Sequence, residues 1–526
     1  MKSKKKEVAL IIIFLIIQSI MYVLVGMNKS YIHIDEAYSY GLSNYNRVEI
    51  EDNADFFNNW HNKEYYEDYL SVQKKEAGNF APVYENQKND VHPPLYYVFL
   101  RIAMEFTIGH FSKWTGITLN IIIYAFITVF MYVILKKLLQ NEDNFKIKSM
   151  ILAFMSSIIL ASLSNVIYIR MYALLTLEIL ITILLHIKLL ESEKINFKLL
   201  LGIGLAVLTG ILTHYYYLLY LVIVYFIFFI KLIKEKKLKE LGYYTATIII
   251  SGILSLIIFP YSIEHIFFGY RGQGALSNFS NIKEILPGIK EQIRNLNYYV
   301  FHKLMYVILG IMLAVFVYNK IRKKSMCKLS KMEKEILMII ILPSLFFFFV
   351  STIASPWKVL RYFVPICGLV FVFVIYWFYR LLRTAFNEKI TNIVMCILFC
   401  GILVAPFTFK LEPELLYKDN KELVQELEGE LNLPTIYLYN SQNGGFLNDI
   451  LLFSKIDESY IAKDMECTEE NIQGIVKDKD ITKGIILFIN DEQDKETLTE
   501  TVKEALDFTN YEHLQRLFNC DVYYIY

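Results

Sequence analysis

A series of long apolar stretches constrains this chain more than any other feature. Eleven segments approach the roughly 20 apolar residues that a helix needs to cross a bilayer. They begin near residues 7, 116, 149, 172, 199, 217, 242, 301, 335, 361 and 390. Hydrophobic residues make up 55% of the 526 residues, more than a soluble core of this length uses. The sequence therefore predicts a polytopic α-helical membrane protein with about 11 transmembrane helices.

Two segments need a separate interpretation. The first apolar stretch follows a basic start, and no small-residue cleavage site comes after it, so we interpret it as a retained signal anchor. The stretch from 94 to 108 is short, opens with proline and contains Arg101 and Glu105. We expect that stretch to be interfacial or re-entrant rather than a true span.

The charges of the short loops then predict the orientation. The loops assigned to the cytoplasm carry 26 Lys and Arg, whereas the short outer loops carry three, namely Arg170, Lys358 and Arg361. Under the positive-inside rule, this bias predicts a cytoplasmic N-terminus. The outer regions are then 27–115, 262–300 and the chain after about 410.

The pattern after residue 410 is that of a soluble domain. KELVQELEGEL at 421–431 and DEQDKETLTETVKEALDF predict helices, whereas TIYLYN, KGIILFIN and CDVYYIY predict strands. We therefore divide the chain into a transmembrane domain, 1–410, which includes the first outer loop, 27–115, and a small extracytoplasmic α/β domain, 411–526. Of the six cysteines, only Cys467 and Cys520 lie in a polar segment, so at most one disulfide is expected.

Two motifs in the first outer loop carry ionisable groups. HIDEAYSY at 33–40 places Asp35 and Glu36 at the lipid–water boundary, where a carboxylate is costly unless it is paired or coordinated. Two ordinary solvated loop acids are the alternative. VHPPLYYVFLR at 91–101 combines His92 with two prolines at a helix start, where proline is tolerated. Taken alone, this motif also fits an interfacial helix.

Two cationic motifs are expected on the same outer side. YIRMYALLTLEI at 168–179 contains Arg170, and WKVLRYFVP at 357–365 contains Lys358 and Arg361. Such side chains either extend to the lipid headgroups or hold an anion, which a guanidinium binds in a bidentate way. Two separate cationic motifs on one side favour an anionic ligand at the membrane surface.

The order of these motifs resembles a known family. An acidic pair after the first span, then HPPLYY, RMYALL and a late RYF, is similar to the C-type (GT-C) membrane glycosyltransferases of the protein O-mannosyltransferase and aminoarabinose-transferase group. The resemblance covers residues 1 to about 410 and implies a GT-C-like fold. Unlike the mannosyltransferases, this chain has no repeats of their lumenal modules and continues its proline motif with LYY. Mannose and protein acceptors are therefore not specifically implied.

The resemblance implies transfer of a sugar from a polyprenyl-phosphate donor to an envelope glycan, lipid or protein on the outer face, with inversion. It implies Asp35 as general base and Glu36 as a supporting carboxylate. It places the donor phosphate on positively charged groups. We assign donor-phosphate binding to Arg170, Lys358, Arg361 and His92, and further substrate binding to Tyr172, His265 and Arg271.

Several other features leave alternatives open. The loop at 260–279, with His265 and Arg271, is suited to a lid but equally to a plain connector. His214, beside three tyrosines, favours aromatic-belt packing. The first outer loop, rich in acids, asparagine and aromatics, fits a sugar-binding surface or a solvated helix. His33 and His61 lie near the acidic pair without ligand spacing, so no metal site is predicted, although a divalent cation stays open.

Composition weighs against other functions. A net charge of +1 gives no global basic field for nucleic acid. A transporter would place ionisable groups near the bilayer midplane, whereas the predicted span centres are nearly free of charge. A non-catalytic scaffold for the C-terminal domain is a further alternative. The composition, low in glycine and proline, favours an AT-rich bacterial genome and thus a bacterial plasma membrane.

Overall fold

The computed structural model describes residues 2–46, 49–324, 328–417, 432–442, 445–491, 493–517 and 519–526. Contacts divide the chain into two compact units. The first, the helical unit, consists of Met1–Gly26, Val91–Tyr96 and Ile117–Glu414. The second, the sheet unit, consists of Met27–Asp90, Tyr97–Gly116 and Leu415–Tyr526. Most of the first outer loop thus shares a unit with the C-terminal segment. Whether 1–410 and 411–526 fold separately stays a prediction.

Membrane-spanning helices dominate the helical unit. In the described residues, eight helices are long and apolar enough to cross a bilayer: Lys5–Met27, Lys113–Leu138, Tyr172–Glu191, Tyr217–Lys234, Leu238–Ile258, Lys331–Ala354, Val364–Ala385 and Glu388–Thr408. Two bent pairs raise the number to ten: Phe145–Ser157 with Leu160–Ile167, at 58°, and Ile282–Val300 with Met305–Ile321, at 92°. The eleventh predicted position, near 199, carries the 17-residue helix Phe197–Thr213. The chain is a multi-pass membrane protein.

Shorter helices complete the architecture. The helical unit adds Ser262–Phe267, Tyr270–Ser280 and Leu360–Tyr362. The sheet unit contains Ile34–Asn44, Ile50–Asp52, Lys63–Leu70, Lys74–Glu76, Ala81–Asn89, Phe446–Asn448, Ile450–Phe453, Glu469–Val476 and Lys495–Ala505. The helix Leu95–Met104 has 10 residues and is therefore about 15 Å long, too short to cross the bilayer. This length agrees with the interpretation of 94–108 as a segment that does not span.

The break between Phe145–Ser157 and Leu160–Ile167 is stabilised by a buried histidine. The Leu160 backbone N–H donates to His302 Nε2 at 3.1 Å, and His302 Nδ1 lies 2.7 Å from the Ile402 carbonyl oxygen, to which it donates. A helix broken within a membrane protein must satisfy its freed backbone groups internally. His302 does this for one amide at the break.

The span Tyr172–Glu191 contains two buried ionisable groups. The Thr209 hydroxyl donates to Glu178 Oε2 at 3.0 Å, and His186 Nε2 lies 2.9 Å from the Tyr244 hydroxyl. The span centres are thus less free of ionisable groups than the sequence interpretation assumed. Both side chains have polar partners on neighbouring helices, as buried polar groups require.

The sheet unit is built on six strands. They are β1 (Trp60–Asn62), β2 (Thr435–Tyr439), β3 (Glu458–Lys463), β4 (Ile485–Asn490), β5 (Tyr511–Arg516) and β6 (Cys520–Ile525), in the order β1-β3-β2-β4-β6-β5. Strand β2 is parallel to β3 and β4, and the outer pairings are antiparallel. The strands predicted at TIYLYN, KGIILFIN and CDVYYIY and the acidic helix are confirmed.

Other parts of this unit differ from the expectation or lie beyond the description. Strands β1, β3 and β5 and the helix Glu469–Val476 were not predicted; β1 comes from the first outer loop and pairs with β3 across the chain. The helix expected at 421–431 lies outside the described residues. Cys467 and Cys520 are both free thiols, so the one disulfide considered is not formed.

Candidate functional site

The acidic pair lies in the first turn of the helix Ile34–Asn44. His33 is the N-cap residue: its Nδ1 accepts a hydrogen bond from the Asp35 backbone N–H at 3.1 Å. The Glu36 carboxylate accepts from the His33 backbone N–H at 2.7 Å. This reciprocal capping satisfies two backbone donors that a helix start leaves without intrahelical partners. The motif HIDE thus folds locally into a capped helix start.

Glu36 is buried completely inside the sheet unit. Its Oε2 lies 2.9 Å from the ammonium nitrogen of Lys29, which is also fully buried. Lys29 donates in addition to the Leu415 carbonyl oxygen at 2.8 Å. Burial lowers the pKa of Lys29, and the charge of Glu36 opposes this effect. The ion pair and the cap account for Glu36 as a structural group.

Asp35 has a more open environment than Glu36. Its side chain is 24% exposed, and its Oδ2 lies 3.5 Å from His33 Nδ1. The same nitrogen accepts the Asp35 amide hydrogen, so one side-chain atom of His33 lies beside both the backbone and the carboxylate of Asp35. Of the two adjacent carboxylates, only that of Asp35 is exposed to solvent.

In the helical unit, three of the four residues assigned to the donor phosphate, Arg170, Arg361 and His92, lie among aromatic partners. We call this group the cationic mouth and define it by His92, Tyr168, Arg170, Tyr172, His214 and Arg361. Arg361 Nη1 donates to the Tyr168 hydroxyl at 3.1 Å. The ring of Tyr168 stacks on that of Tyr172, with centroids 5.9 Å apart and planes at 12°. These contacts link the motif RYF to the motif RMYALL.

The two histidines of the cationic mouth continue this chain of contacts. The ring of His214 lies 5.5 Å from Tyr172 and 5.9 Å from His92. Burial lowers the pKa of His214 well below its ordinary value, and the charges of His92 and Arg170 add to the effect. His214 is therefore neutral at physiological pH, and it can exchange a hydrogen bond with a ligand without adding charge.

A buried asparagine positions the loop that carries Arg170. Asn120 Nδ2 donates to the carbonyl oxygens of Val166 and Tyr168, at 3.1 and 2.9 Å. Its Oδ1 accepts from the Tyr96 hydroxyl at 3.2 Å, so the same side chain also holds the segment that follows His92. One amide thus fixes two of the four motifs that form the cationic mouth.

One acid near the cationic mouth has a shifted ionisation. This acid is Glu414, which follows the last span and lies within the electrostatic range of Arg361. The other arginine of the cationic mouth, Arg170, is buried. Burial raises the pKa of Glu414 to about 7, and the charge of Arg361 opposes the rise. Near neutral pH, Glu414 is therefore only partly ionised and offsets only part of the positive charge of Arg361. Guanidinium groups in such partly buried surroundings are suited to binding phosphate or carboxylate.

Arg271 reaches the same region through a tryptophan. The guanidinium carbon of Arg271 lies 5.0 Å from the ring centroid of Trp357, and that of Arg361 lies 5.5 Å from it. The Trp357 side chain is 49% exposed. Two cations on one indole form cation–π contacts and place Arg271 beside the cationic mouth.

Lys358 and His265 have other surroundings. The Lys358 ammonium group donates to the carbonyl oxygens of Thr352 and Ser355 at 2.7 and 2.8 Å, at the C-terminal end of the helix Lys331–Ala354. Burial lowers the pKa of Lys358, and Glu284 opposes the shift. His265 is buried, with its Nδ1 2.9 Å from the Tyr215 hydroxyl. Both contacts are structural, so the binding roles of these two residues stay predictions.

The described part of the chain contains no group of three or more His, Cys, Asp and Glu side chains arranged to hold a metal ion. His61 has its own partners, since its Nε2 lies 2.9 Å from the Asp55 carbonyl oxygen. The sequence analysis did not assign two members of the cationic mouth, Tyr168 and His214, to a site. It also did not assign two of its neighbours, Trp357 and Glu414. The signal for His214 was present in THYYYLLY, at the outer end of a helix, but it was attributed to the aromatic belt.

Comparison with known proteins gives one kind of match. No protein-family model matches the chain, and no curated protein does. The crystal structure of ArnT from Cupriavidus metallidurans bound to undecaprenyl phosphate matches with a TM-score of 0.51 and 9% identity, over 98% of each chain. The apo state of the same protein gives 0.49, with the same identity and coverage. The chain thus has the GT-C fold of ArnT, as its motifs led us to expect.

Proposed function

We propose that this protein is a glycosyltransferase that moves a sugar from a polyprenyl-phosphate donor to an envelope glycan, lipid or protein on the outer face of the membrane. The observation that carries this proposal is the convergence of Arg170 and Arg361 with two histidines in the helical unit. The fold shared with ArnT, whose crystal structure holds undecaprenyl phosphate, supports a lipid-phosphate donor.

The proposed role of the cationic mouth follows from the charge that develops during transfer. When the bond between the anomeric carbon and the phosphate oxygen breaks, the bonding electrons remain with polyprenyl phosphate, which gains negative charge. Arg170 and Arg361 would bind this phosphate and stabilise the added charge. The neutral His214 and the adjacent His92 would complete its hydrogen bonds, and Tyr172 would contact the sugar.

The proposed role of Asp35 follows from its exposure. The acceptor hydroxyl oxygen forms the new bond to the anomeric carbon from the face opposite the phosphate, so the configuration inverts. Its proton passes to the Asp35 carboxylate, which acts as general base. Base catalysis of this kind typically contributes about 10² to 10⁴-fold in rate. Glu36, buried against Lys29, would support the helix turn that presents Asp35.

Release of polyprenyl phosphate by the purified, lipid-reconstituted protein tests this proposal whichever sugar is transferred. The assay supplies the lipid-linked sugars and the envelope fraction of the producing cell and measures free polyprenyl phosphate by mass spectrometry. We expect release by the native protein and a loss of about 10² to 10⁴-fold in Asp35→Asn. The matched control is Asp55→Asn, an exposed acid of the same loop, which should release at the native rate.

Two results would count against the proposal. Full activity of Asp35→Asn would show that Asp35 is not the general base. If the native protein releases no polyprenyl phosphate, the proposed transferase function is wrong. A transporter is the second candidate, favoured by the buried Glu178 within a span. In that case, Glu178→Gln should abolish the flux of a lipid-linked or free sugar in vesicles, whereas the proposed transferase predicts that release is retained.

A further inference from the structure

The sheet unit contains an open cavity outside the groups discussed so far. Its volume is about 470 Å³, and it lies between strands β1 and β3 and the helix Glu469–Val476. Its lining includes Trp60, Tyr460, Lys463, Asn471, Gly474 and Asp478. Cavities of this size accommodate small-molecule ligands.

Two aromatic residues form one wall of this cavity. Trp60 and Tyr460 are directly opposite each other in the antiparallel β1–β3 pair, and their ring centroids lie 5.7 Å apart at 58°. The Trp60 indole N–H donates to the Ile475 carbonyl oxygen at 2.9 Å. The ammonium group of Lys479 lies 4.5 Å from the Trp60 ring centroid. These contacts fix the orientation of the indole, so the aromatic wall is preorganised.

A glycine keeps the opposite wall open. Gly474 lies inside the helix Glu469–Val476, where glycine is destabilising relative to alanine. Its backbone needs no positive φ, and a Cβ built at this position would meet nothing within 4 Å. Neither packing nor backbone geometry therefore requires glycine here. Because Gly474 has no side chain, it leaves this part of the cavity unfilled.

The remaining lining selects the chemistry of the ligand. The ammonium group of Lys479 pairs with Glu458 at 2.6 Å, and the lining contains one acid, Asp478, besides the second cation, Lys463, so the formal charges balance and give no net cationic field for a phosphate. Amide, carboxylate and ammonium groups interrupt the apolar surface, which disfavours a lipid tail. Aromatic rings with mixed polar groups suit the C–H faces and hydroxyls of a sugar.

We propose that this cavity, which we call the Trp60 pocket, binds a neutral oligosaccharide and so holds a glycan acceptor at the sheet unit. The inference rests on the proposed function for the outer location of this unit and for the acceptor class. It adds that the acceptor is a glycan and that it is held at a surface separate from the reacting groups. The binding itself involves no covalent step and requires no donor.

Fluorine NMR of the full chain tests this binding directly. The chain has four tryptophans, so 5-fluorotryptophan labelling of protein in lipid nanodiscs gives four signals. Trp60→Phe identifies the Trp60 signal by its loss. The probes are neutral tetrasaccharides of glucose, galactose, mannose and N-acetylglucosamine. We expect at least one of them to shift the Trp60 signal saturably, with a dissociation constant of about 1 mM or tighter, and to leave the Trp357 signal in place.

Filling the pocket provides an independent variant that retains Trp60. Gly474→Leu places a side chain in open space and should weaken tetrasaccharide binding by about tenfold or more. The matched control is Gly310→Leu in the helix Met305–Ile321, where a Cβ also meets nothing within 4 Å. This control should bind as the native protein does. An unfolding temperature equal to that of the native protein in both variants would show that the fold is intact.

The outcomes separate this inference from the proposed function. If none of the four probes shifts the Trp60 signal, if all four tryptophan signals move together, or if Gly474→Leu binds normally, the pocket assignment is wrong. Binding measured in this way needs no transfer, so it can succeed even where polyprenyl phosphate release fails. Where release succeeds, Gly474→Leu should raise the KM for a glycan acceptor with kcat unchanged; an unchanged KM would overturn the acceptor role.

Discussion

The two units of this protein hold buried ionisable groups in different settings. The helical unit gathers Arg170 and Arg361 among tyrosines and histidines, whereas the sheet unit encloses Glu36 and Asp449. A buried charge is retained only where it is paired, hydrogen-bonded or neutralised by a proton. The difference leads to different tests: Glu36 and Asp449 have partners inside the sheet unit, whereas the cationic mouth holds the groups to which we assign the anionic donor.

Two fully buried acids of the sheet unit, Glu36 and Asp449, have different partners. Glu36 has the ammonium group of Lys29 as its partner at 2.9 Å. Asp449 accepts from the Tyr437 hydroxyl at 3.3 Å, and burial raises its pKa to about 7. The pair Glu36–Lys29 should therefore respond to mutation, whereas Asp449 should respond to pH.

The largest expected effect comes from breaking the Glu36–Lys29 pair. Glu36→Gln leaves the Lys29 charge buried without its counter-ion, which typically costs about 3–5 kcal/mol. We expect a marked loss of thermal stability in detergent or nanodiscs, measured by scanning fluorimetry. The double variant Lys29→Met with Glu36→Gln should recover part of the loss. Asp35→Asn should unfold at the native temperature, and an equal loss in Asp35→Asn would contradict the distinction between the two acids.

Asp35 and Glu36 also show how much of the structure can be predicted from the sequence alone. HIDE was predicted to be special because it follows a span, and its capping is local, within 33–36. The partner Lys29 lies near in sequence as well, but nothing in the periodicity reveals that both groups would be fully buried. Strand β1 was not predicted because its three residues pair with a strand almost 400 positions later, and such long-range pairing leaves no local pattern.

The cationic mouth was predictable for a different reason. Arg170 and Arg361 stood out because the outer short loops are nearly free of charge, and the structure brings them together through Tyr168. His214 was missed because aromatic-belt packing produces the same sequence pattern as a binding cluster. Lys358 was assigned to the donor phosphate by its charge, and its contacts with two carbonyl oxygens leave that assignment a prediction.

The second effect concerns Asp449 and pH. Its folded-state pKa of about 7 lies above the ordinary 3.8, so the folded state keeps a proton that the unfolded state has lost. Stability should therefore fall as pH rises from about 4 to 7 and level off above that. Since one pKa unit corresponds to about 1.4 kcal/mol, the free energy of unfolding should fall by at most about 4 kcal/mol over this pH range.

Asp449→Asn tests this dependence because the amide does not titrate. Tyr437, Tyr31 and Cys520 face the carboxyl group and titrate above neutral pH, so they should not distort the window. Hydrogen exchange of strands β2, β4 and β6 in the full chain, corrected for intrinsic rates, measures local stability. We expect a flatter profile between pH 4 and 7 in the variant. Parallel profiles for the native and variant proteins would show that Asp449 is ionised in the folded state.

The third effect concerns donor affinity at the cationic mouth. Removing a charge-assisted hydrogen bond typically costs about 1.5–3 kcal/mol, so Arg361→Ala should raise the donor KM by about 10- to 100-fold. Arg361→Lys should recover only part of this, because an ammonium group lacks the bidentate fork. The control is Arg294→Ala, an exposed arginine paired with Glu291. A native donor KM in Arg361→Ala would make the cationic mouth a structural cluster, like the acids of the sheet unit.

The smallest expected effect distinguishes two roles for Lys358, a structural helix cap and a ligand of the donor phosphate. Its ammonium group already donates to the carbonyl oxygens of Thr352 and Ser355, and cations at a helix C-terminus typically stabilise by about 0.3–1 kcal/mol. If Lys358 is a cap, Lys358→Met lowers the unfolding temperature slightly and leaves the donor KM unchanged. If it also binds the donor phosphate, the KM rises as in Arg361→Ala. A ratio of donor KM values measured side by side in one lipid preparation resolves the two cases, because the capping contribution is present with and without donor and cancels in the ratio.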